Sequence, residues 1–176
     1  YKRRGITPEL TSKPLLNPFI WQIIFFRNMN EQSLYIRLIE FGTPEYDECL
    51  ALRNEVLRKP LGLEFNPEQI EKEWDQACLA ASDESGRIVA CLLLQTLDAN
   101  HVKMRQVSVA PEWQSKGIGS QLVKASEQWA RRHSFQVMQL HARDTAVAFY
   151  SKLGYDADGE QFYEVGIPHL RMVKAL

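Results

Sequence analysis

Little in this 176-residue sequence is extreme, and its shortages narrow the field first. Net charge is almost absent, with 21 Lys and Arg against 22 Asp and Glu, so no bulk attraction to nucleic acid or to a membrane surface is expected. There are only three cysteines, Cys49, Cys78 and Cys91, and none has CxxC spacing. That pattern supplies neither a disulfide framework nor a zinc ligand set; it predicts reduced thiols, a cytoplasmic protein and no metal site. Long apolar runs are missing too. The run "FIWQIIFF", Phe19 to Phe26, is far shorter than the roughly 20 residues a spanning helix needs. No internal repeat occurs, and no linker divides residues 30–176.

What remains is an ordinary globular composition, 45% apolar and 24% charged, with enough chain for one α/β domain. The start "YKRRG" is basic and invites a signal-peptide reading, but Pro14 and Pro18 interrupt the approach and no small-residue cleavage site follows. Met29 precedes a better-patterned region. The expectation is an N-terminal extension over residues 1–28, outside the core, and a single domain over 29–176.

From there the pattern alternates. "LYIRLIEF" (Leu34 to Phe41) reads as a strand. "TPEYDECLALRNEVLR" opens with Thr43 as N-cap, Pro44 at the first helical position and acids in the first turn, and its positions Cys49, Leu50, Val56 and Leu57 fit one helical face. A loop leads to a short helix around Pro67 to Asp75. "ACLAAS" and "RIVACLLLQTL", joined by "DESG", predict a β-hairpin. "VKMRQVSVA" is a further strand, alternating at Val107 and Val109 and stopped by Pro111. After Gly117, residues Ile118, Leu122, Ala125 and Trp129 form one apolar stripe of a helix. "FQVMQLHA" is a strand; Asp144 is expected to cap a helix from Thr145 to Leu153, and Gly154 to stop it. Two strands, around Tyr155 to Val165 and His169 to Val173, finish the order βααβββαβαββ, a mixed sheet with helices on its faces.

The stretch "WQSKGIGSQL" carries the chemistry. Strand, glycine-bearing loop and helix is a recurrent way to hold phosphate, because amides at a helix start lack partners and the helix dipole favours an anion there. Gly117 and Gly119 permit close approach, and Lys116 adds charge. The Gly-Lys-Ser/Thr ending of a nucleotide P-loop is absent, as is GxGxxG. On spacing alone, an ordinary turn stands beside the phosphate loop, and a nucleotide-phosphate module remains open.

Read together, "QVSVAPEWQSKGIGSQLV" and "HARDTAVAFYSKLGY" closely resemble the GNAT superfamily of N-acyltransferases. The family's Gln/Arg-x-x-Gly-x-Gly/Ala signature after a Val-x-Val strand falls on Gln114, Gly117 and Gly119, and a later Phe-Tyr-x-x-x-Gly-Tyr begins at Phe149. The tail "EVGIPHLRM" resembles that of a subset of small GNAT proteins. The resemblance implies a central, twisted, mostly antiparallel α/β sheet with helices on both faces. Its fourth and fifth strands splay apart into a slot for acyl-CoA.

The same resemblance implies acetyl-CoA as co-substrate and a small-molecule or peptide amine as acceptor, with no metal. Backbone groups of Gln114, Ser115, Lys116, Gly117, Ile118, Gly119 and Ser120 would cradle the diphosphate, and Val107 and Val109 would pair with the pantetheine arm as if with a strand. The Val109 N–H would face the thioester carbonyl. Phe149 would line the slot, Thr145 would substitute for an asparagine that many members carry, and Lys152 would reach the phosphate end or simply be a surface lysine. Homodimers are frequent in the family.

Acyl transfer to an amine needs a neutral amine, donors for the developing oxyanion and a proton or hydrogen bond for the thiolate. No cysteine or serine has the partners that a covalent route requires. Tyr150 matches the family's general acid; without the family match it reads as a core tyrosine. Glu64, Glu112, Glu164 and His169 are candidates for the base. Glu164 and His169 flank "GIP", where the acceptor cleft of the family closes, and His169 also reads as a structural histidine. Arg53 and Arg58 are placed to meet an acidic acceptor or to form a solvated helix face. Beside the acetyltransferase stands a second function, a non-catalytic acyl-CoA binder.

Overall fold

The computed structural model describes residues 24–27 and 33–176. Strand β1 (Ile24–Arg27) lies antiparallel to β2 (Ser33–Ile39), with Ile24 opposite Ile36, at one edge of the sheet. The rest of the expected extension lies outside the described residues.

Helix α1 (Pro44–Arg53) begins as its sequence dictates. The Thr43 hydroxyl accepts from the Tyr46 amide at 3.3 Å, Pro44 occupies the first turn, and Glu45 and Asp47 complement the dipole there. The helix then loosens into a π turn, Asn54–Arg58, and a 3-10 turn, Lys59–Leu61, before Gly62 reverses the chain at φ 66°. Its buried face differs from the expected one: Tyr46, Cys49 and Arg53 point inward, while Leu50, Val56 and Leu57 are half-buried. The stripe runs through an arginine, which a hydrophobic template scores as solvent-facing. Helix α2 (Pro67–Glu71) is capped by the Asn66 side chain, which accepts from the Glu68 amide at 2.9 Å, and is shorter than expected.

The hairpin of β3 (Ala77–Ser82) and β4 (Ile88–Thr96) is present, its turn held by Asp83 Oδ1, which accepts from the Ser85 and Arg87 amides. Strand β5 (His101–Val109) follows, then α3 (Ile118–Arg132), β6 (Val137–Arg143) and α4 (Val147–Lys152). Asp144 does not cap α4. A 3-10 turn, Asp144–Ala146, leads into the helix, and the Asp144 carboxylate instead accepts from Gln161 Nε2 at 3.4 Å. Gly154, at φ 84°, stops the helix as expected. The first of the two closing strands is broken in two, β7 (Asp156–Ala157) and β8 (Phe162–Glu164), both paired with β9 (Ile167–Ala175).

The strands form one mixed sheet in the order β1-β2-β3-β4-β5-β6-β9-β7, with β8 also on β9. Every pairing is antiparallel except β5 with β6. A smaller core joins Tyr46 and Cys49 of α1 to Cys78, Cys91 and Leu93 of the sheet. The larger core lies on the opposite face, where Ile118 and Leu122 of α3 and Tyr150 of α4 meet Leu92, Met104 and Leu140. All three cysteines are buried free thiols.

Two features of β5 position the site. It pairs with β6 only from His101–Met104 to Val137–Leu140, after which the two strands part, β5 staying with β4 and β6 with β9. Just past the parting, the register against β4 shifts between Cys91 and Leu93, so that Gln106 and Val107 together face one residue, with Gln106 at φ 52°. This bulge inserts one residue and changes the phase of the alternation. Val102 and Met104 face the larger core before it; Val107 and Val109 pack against that core after it.

Candidate active site

The loop after β5 leaves its amides free. Gln114 N–H donates to Pro111 O and Gln121 N–H to Gly117 O. Among the described residues, the amides of Ser115, Lys116 and Gly117 have no acceptor, and those of Ile118, Gly119 and Ser120 belong to the first turn of α3, where no intrahelical acceptor exists. Ser115 and Gly117 adopt positive φ, 58° and 80°. At Gly117 a Cβ would meet nothing, so its glycine is required by conformation and not by space. Gly119 is a packing position: a Cβ there would lie 3.5 Å from the Phe149 ring and 3.7 Å from Val109. Gln114 Nε2 donates to Val109 O at 3.0 Å and ties the loop to the end of β5. The Lys116 ammonium sits over the Trp113 ring, 4.9 Å from its centroid.

Val109 presents both backbone groups to the gap between the splayed strands. The neighbouring Ala110 N–H donates to Val89 O of β4 at 2.9 Å, and successive residues of a strand alternate sides, so the Val109 N–H points away from β4. Its carbonyl accepting from Gln114 agrees with that direction.

The gap opens into a cavity of about 430 Å³ lined by Val107, Leu140, Ala146 and Tyr150 on one side and by Arg58, Lys103, Arg105, His141, Arg143, Glu164 and His169 on another. Tyr150 is 8% exposed, edge-on to Phe149 and Tyr155, and its hydroxyl has no hydrogen-bond partner among the described residues. Burial pushes its phenol above the ordinary tyrosine value, so it carries its proton at neutral pH. His169 Nδ1 lies 2.9 Å from Ile167 O, a contact only an N–H can satisfy; the neutral ring therefore presents a lone pair at Nε2. The Glu164 carboxylate is 3.0 Å from His141 Nδ1. Burial works to raise that carboxyl, but the hydrogen bond from His141 and the nearby Lys103 ammonium hold it below the ordinary carboxylate value.

Matching the chain to known families settles what this geometry belongs to. The model of the acetyltransferase (GNAT) domain matches residues 53–176. The chain belongs to the GNAT acetyltransferase family. Over 73 residues it is 37% identical to the uncharacterised N-acetyltransferase YjcF of Bacillus subtilis, a match covering 41% of this chain and 52% of that protein. The chain spans about half the length of the curated relatives it matches. An acyl-CoA N-acyltransferase from Pseudomonas aeruginosa shares its fold at a TM-score of 0.69 and 25% identity, over 81% of this chain and 100% of that one. A GNAT family acetyltransferase from Elizabethkingia anophelis, solved with acetyl-CoA bound, has the same fold at a TM-score of 0.64 and 20% identity, over 81% and 98% of the two chains.

Within this GNAT domain the residues singled out by sequence separate into groups. Tyr150, Glu164, His169 and Val107 line one cavity. Phe149 and Val109 lie against Gly119 at the start of α3. Thr145 and Lys152 are exposed on α4 and the turn before it. Glu64 is exposed and Glu112 is paired with Arg87 at 2.6 Å; neither lines the cavity. Arg53 is wholly buried, 2.8 Å from Glu73, and so cannot meet an acceptor, whereas Arg58 lines the cavity. Sequence reading missed Lys103, Arg105, His141 and Arg143. Their signal was the alternation itself: in "VKMR" and "LHAR" every second residue is apolar and core-facing, and the residues between are cations or histidine.

Proposed function

We propose that this GNAT domain transfers an acetyl group from acetyl-CoA to a primary amine by direct attack, in a ternary complex and with no covalent enzyme intermediate. The observation that carries this reading is the run of unpartnered amides from Ser115 to Ser120 beside a strand edge on which Val109 directs its N–H away from β4, on the strand that runs on from the cavity holding Tyr150. A diphosphate suits the first feature and an extended amide-bearing arm the second. Neither cysteine nor serine lines the cavity, which supports direct attack over an acyl-enzyme.

In this reading the Val109 N–H stabilises negative charge on the thioester oxygen. The acceptor nitrogen forms the C–N bond as the C–S bond breaks, His169 Nε2 takes the proton released from nitrogen, and the Tyr150 hydroxyl donates a hydrogen bond to the departing sulfur. Glu164, paired with His141, fixes the charge beside the base. Calorimetric titration with acetyl-CoA is expected to show one saturable site, with ATP binding at least about tenfold weaker; equal or tighter ATP binding would replace the reading with a nucleotide module. His169→Gln is expected to lower kcat/KM by at least about tenfold near neutrality and by less at high pH, where the free amine is already deprotonated. A loss of equal size at every pH would remove His169 from the role of base.

A further inference from the structure

Several basic side chains of the described residues pair with carboxylates. Arg87 pairs with Glu112, Arg171 with Asp158 and Lys174 with Glu127. The cavity gathers half-buried ones that do not. Four basic side chains line it, from three separate elements: Arg58 at the end of the π turn, Lys103 and Arg105 on β5, and Arg143 at the end of β6. None forms a salt bridge among the described residues. Arg58 lies over the Phe65 ring, Arg143 donates to Leu57 O at 3.1 Å, Arg105 reaches only the side-chain oxygens of Gln76 and Gln95, and Lys103 Nζ is 3.2 Å from the His141 ring. The single carboxylate in the lining, Glu164, is engaged by His141.

We infer that the acceptor is a small amine carrying its own anionic group, a carboxylate or a phosphate, held by Arg58, Lys103, Arg105 and Arg143. The inference rests on the acetyltransferase reading and names its substrate class. All four side chains are half-buried, and like charges gathered in a partly desolvated cavity are unfavourable until an anion enters. Burial, against the opposing charge of Glu164 and together with Arg105 and Arg171, lowers the Lys103 ammonium from its ordinary value, and burial with Arg58 does the same at Arg143, in keeping with a cluster that the one carboxylate does not fully neutralise. Coenzyme phosphates do not account for these charges. The free amides lie at the start of α3, which covers the face of the sheet toward which Val102 and Met104 point, whereas Lys103 and Arg105 alternate to the other face. Guanidinium forks match carboxylate and phosphate geometry, and the cavity volume suits a small molecule. Polyamines and other polycations would be repelled.

The test measures thiol release from acetyl-CoA with matched amines: β-alanine against β-alaninamide, phosphoethanolamine against ethanolamine, and spermidine. Each is read at a pH where the members of a pair are equally deprotonated. The anionic member is expected to exceed its neutral partner in kcat/KM by at least about tenfold, and the better of β-alanine and phosphoethanolamine identifies the anion. Arg58→Gln, and separately Arg105→Gln, are expected to cut that preference by about tenfold through KM, with the acetyl-CoA dissociation constant by calorimetry within about twofold of the parent. A preference for the amide, ethanolamine or spermidine overturns the anionic acceptor and leaves the acetyltransferase standing. Binding of acetyl-CoA with no thiol release to any amine overturns the enzymatic reading and the inference with it.

Discussion

Tyr150→Phe is expected to lower kcat at least about tenfold while leaving acetyl-CoA affinity within about twofold. The substitution deletes one oxygen and keeps the ring that packs edge-on against Phe149 and Tyr155, so the core around α4 should be retained. Because burial raises the phenol, full proton transfer to a thiolate of pKa about 8.5 is uphill, and each pKa unit amounts to about 1.4 kcal/mol. In the proposed reaction the hydroxyl therefore acts as a hydrogen-bond donor to the leaving sulfur, and its removal should slow the chemical step without a matching change in binding. The measurement is single-turnover kinetics with saturating acetyl-CoA, beside calorimetry of the same protein. Unchanged turnover would show that Tyr150 is only a core residue.

Glu73→Ala should produce the largest loss of stability. Glu73 is 3% exposed and holds three partners at once: Arg53, itself fully buried, at 2.8 Å; the Tyr46 hydroxyl; and Gln106 Nε2 at 3.0 Å. Arg53 lies over the rings of Tyr46 and Phe65, but its Nε and Nη1 have no hydrogen-bond partner, so Glu73 is the one carboxylate answering its charge among the described residues. Removing it strands a buried guanidinium, a change that costs about 3–5 kcal/mol, or a fall in Tm on the order of 10 °C for a chain of this size. Glu73→Gln keeps hydrogen-bonding capacity and should lie between. A loss under about 1 kcal/mol in denaturant unfolding would mean that the pair is dispensable. Because Gln106 is the bulge residue and lines the cavity, Glu73→Ala should also weaken acceptor binding.

The same cluster marks where the sequence stopped being legible. Helix starts, the β3–β4 hairpin, the glycine loop and Gly154 could be read because each rests on local chemistry: a cap, a turn residue, a positive φ. Arg53 could not. Its burial depends on Glu73, twenty residues later, and a charged residue on a helix scores as exposed until its partner is known. The bulge at Gln106 was half visible, since the apolar positions shift from Val102 and Met104 to Val107 and Val109, which signals an inserted residue. The cavity was visible only in part. Tyr150, Glu164 and His169 stood out by motif, whereas Lys103, Arg105 and Arg143 converge through strand pairing and a parting of strands that no single segment encodes.

That parting has a mechanical meaning. Among the described residues, strand pairing joins the two portions of the sheet only along the short parallel seam between His101–Met104 and Val137–Leu140. An extended ligand seated in the opening acts as a replacement strut, so occupancy should firm the whole body as well as fill one corner of it. At a hundredfold excess over its dissociation constant, such a ligand contributes about 2.7 kcal/mol, and slower amide exchange along the flanking edges of β5 and β6 would be its imprint.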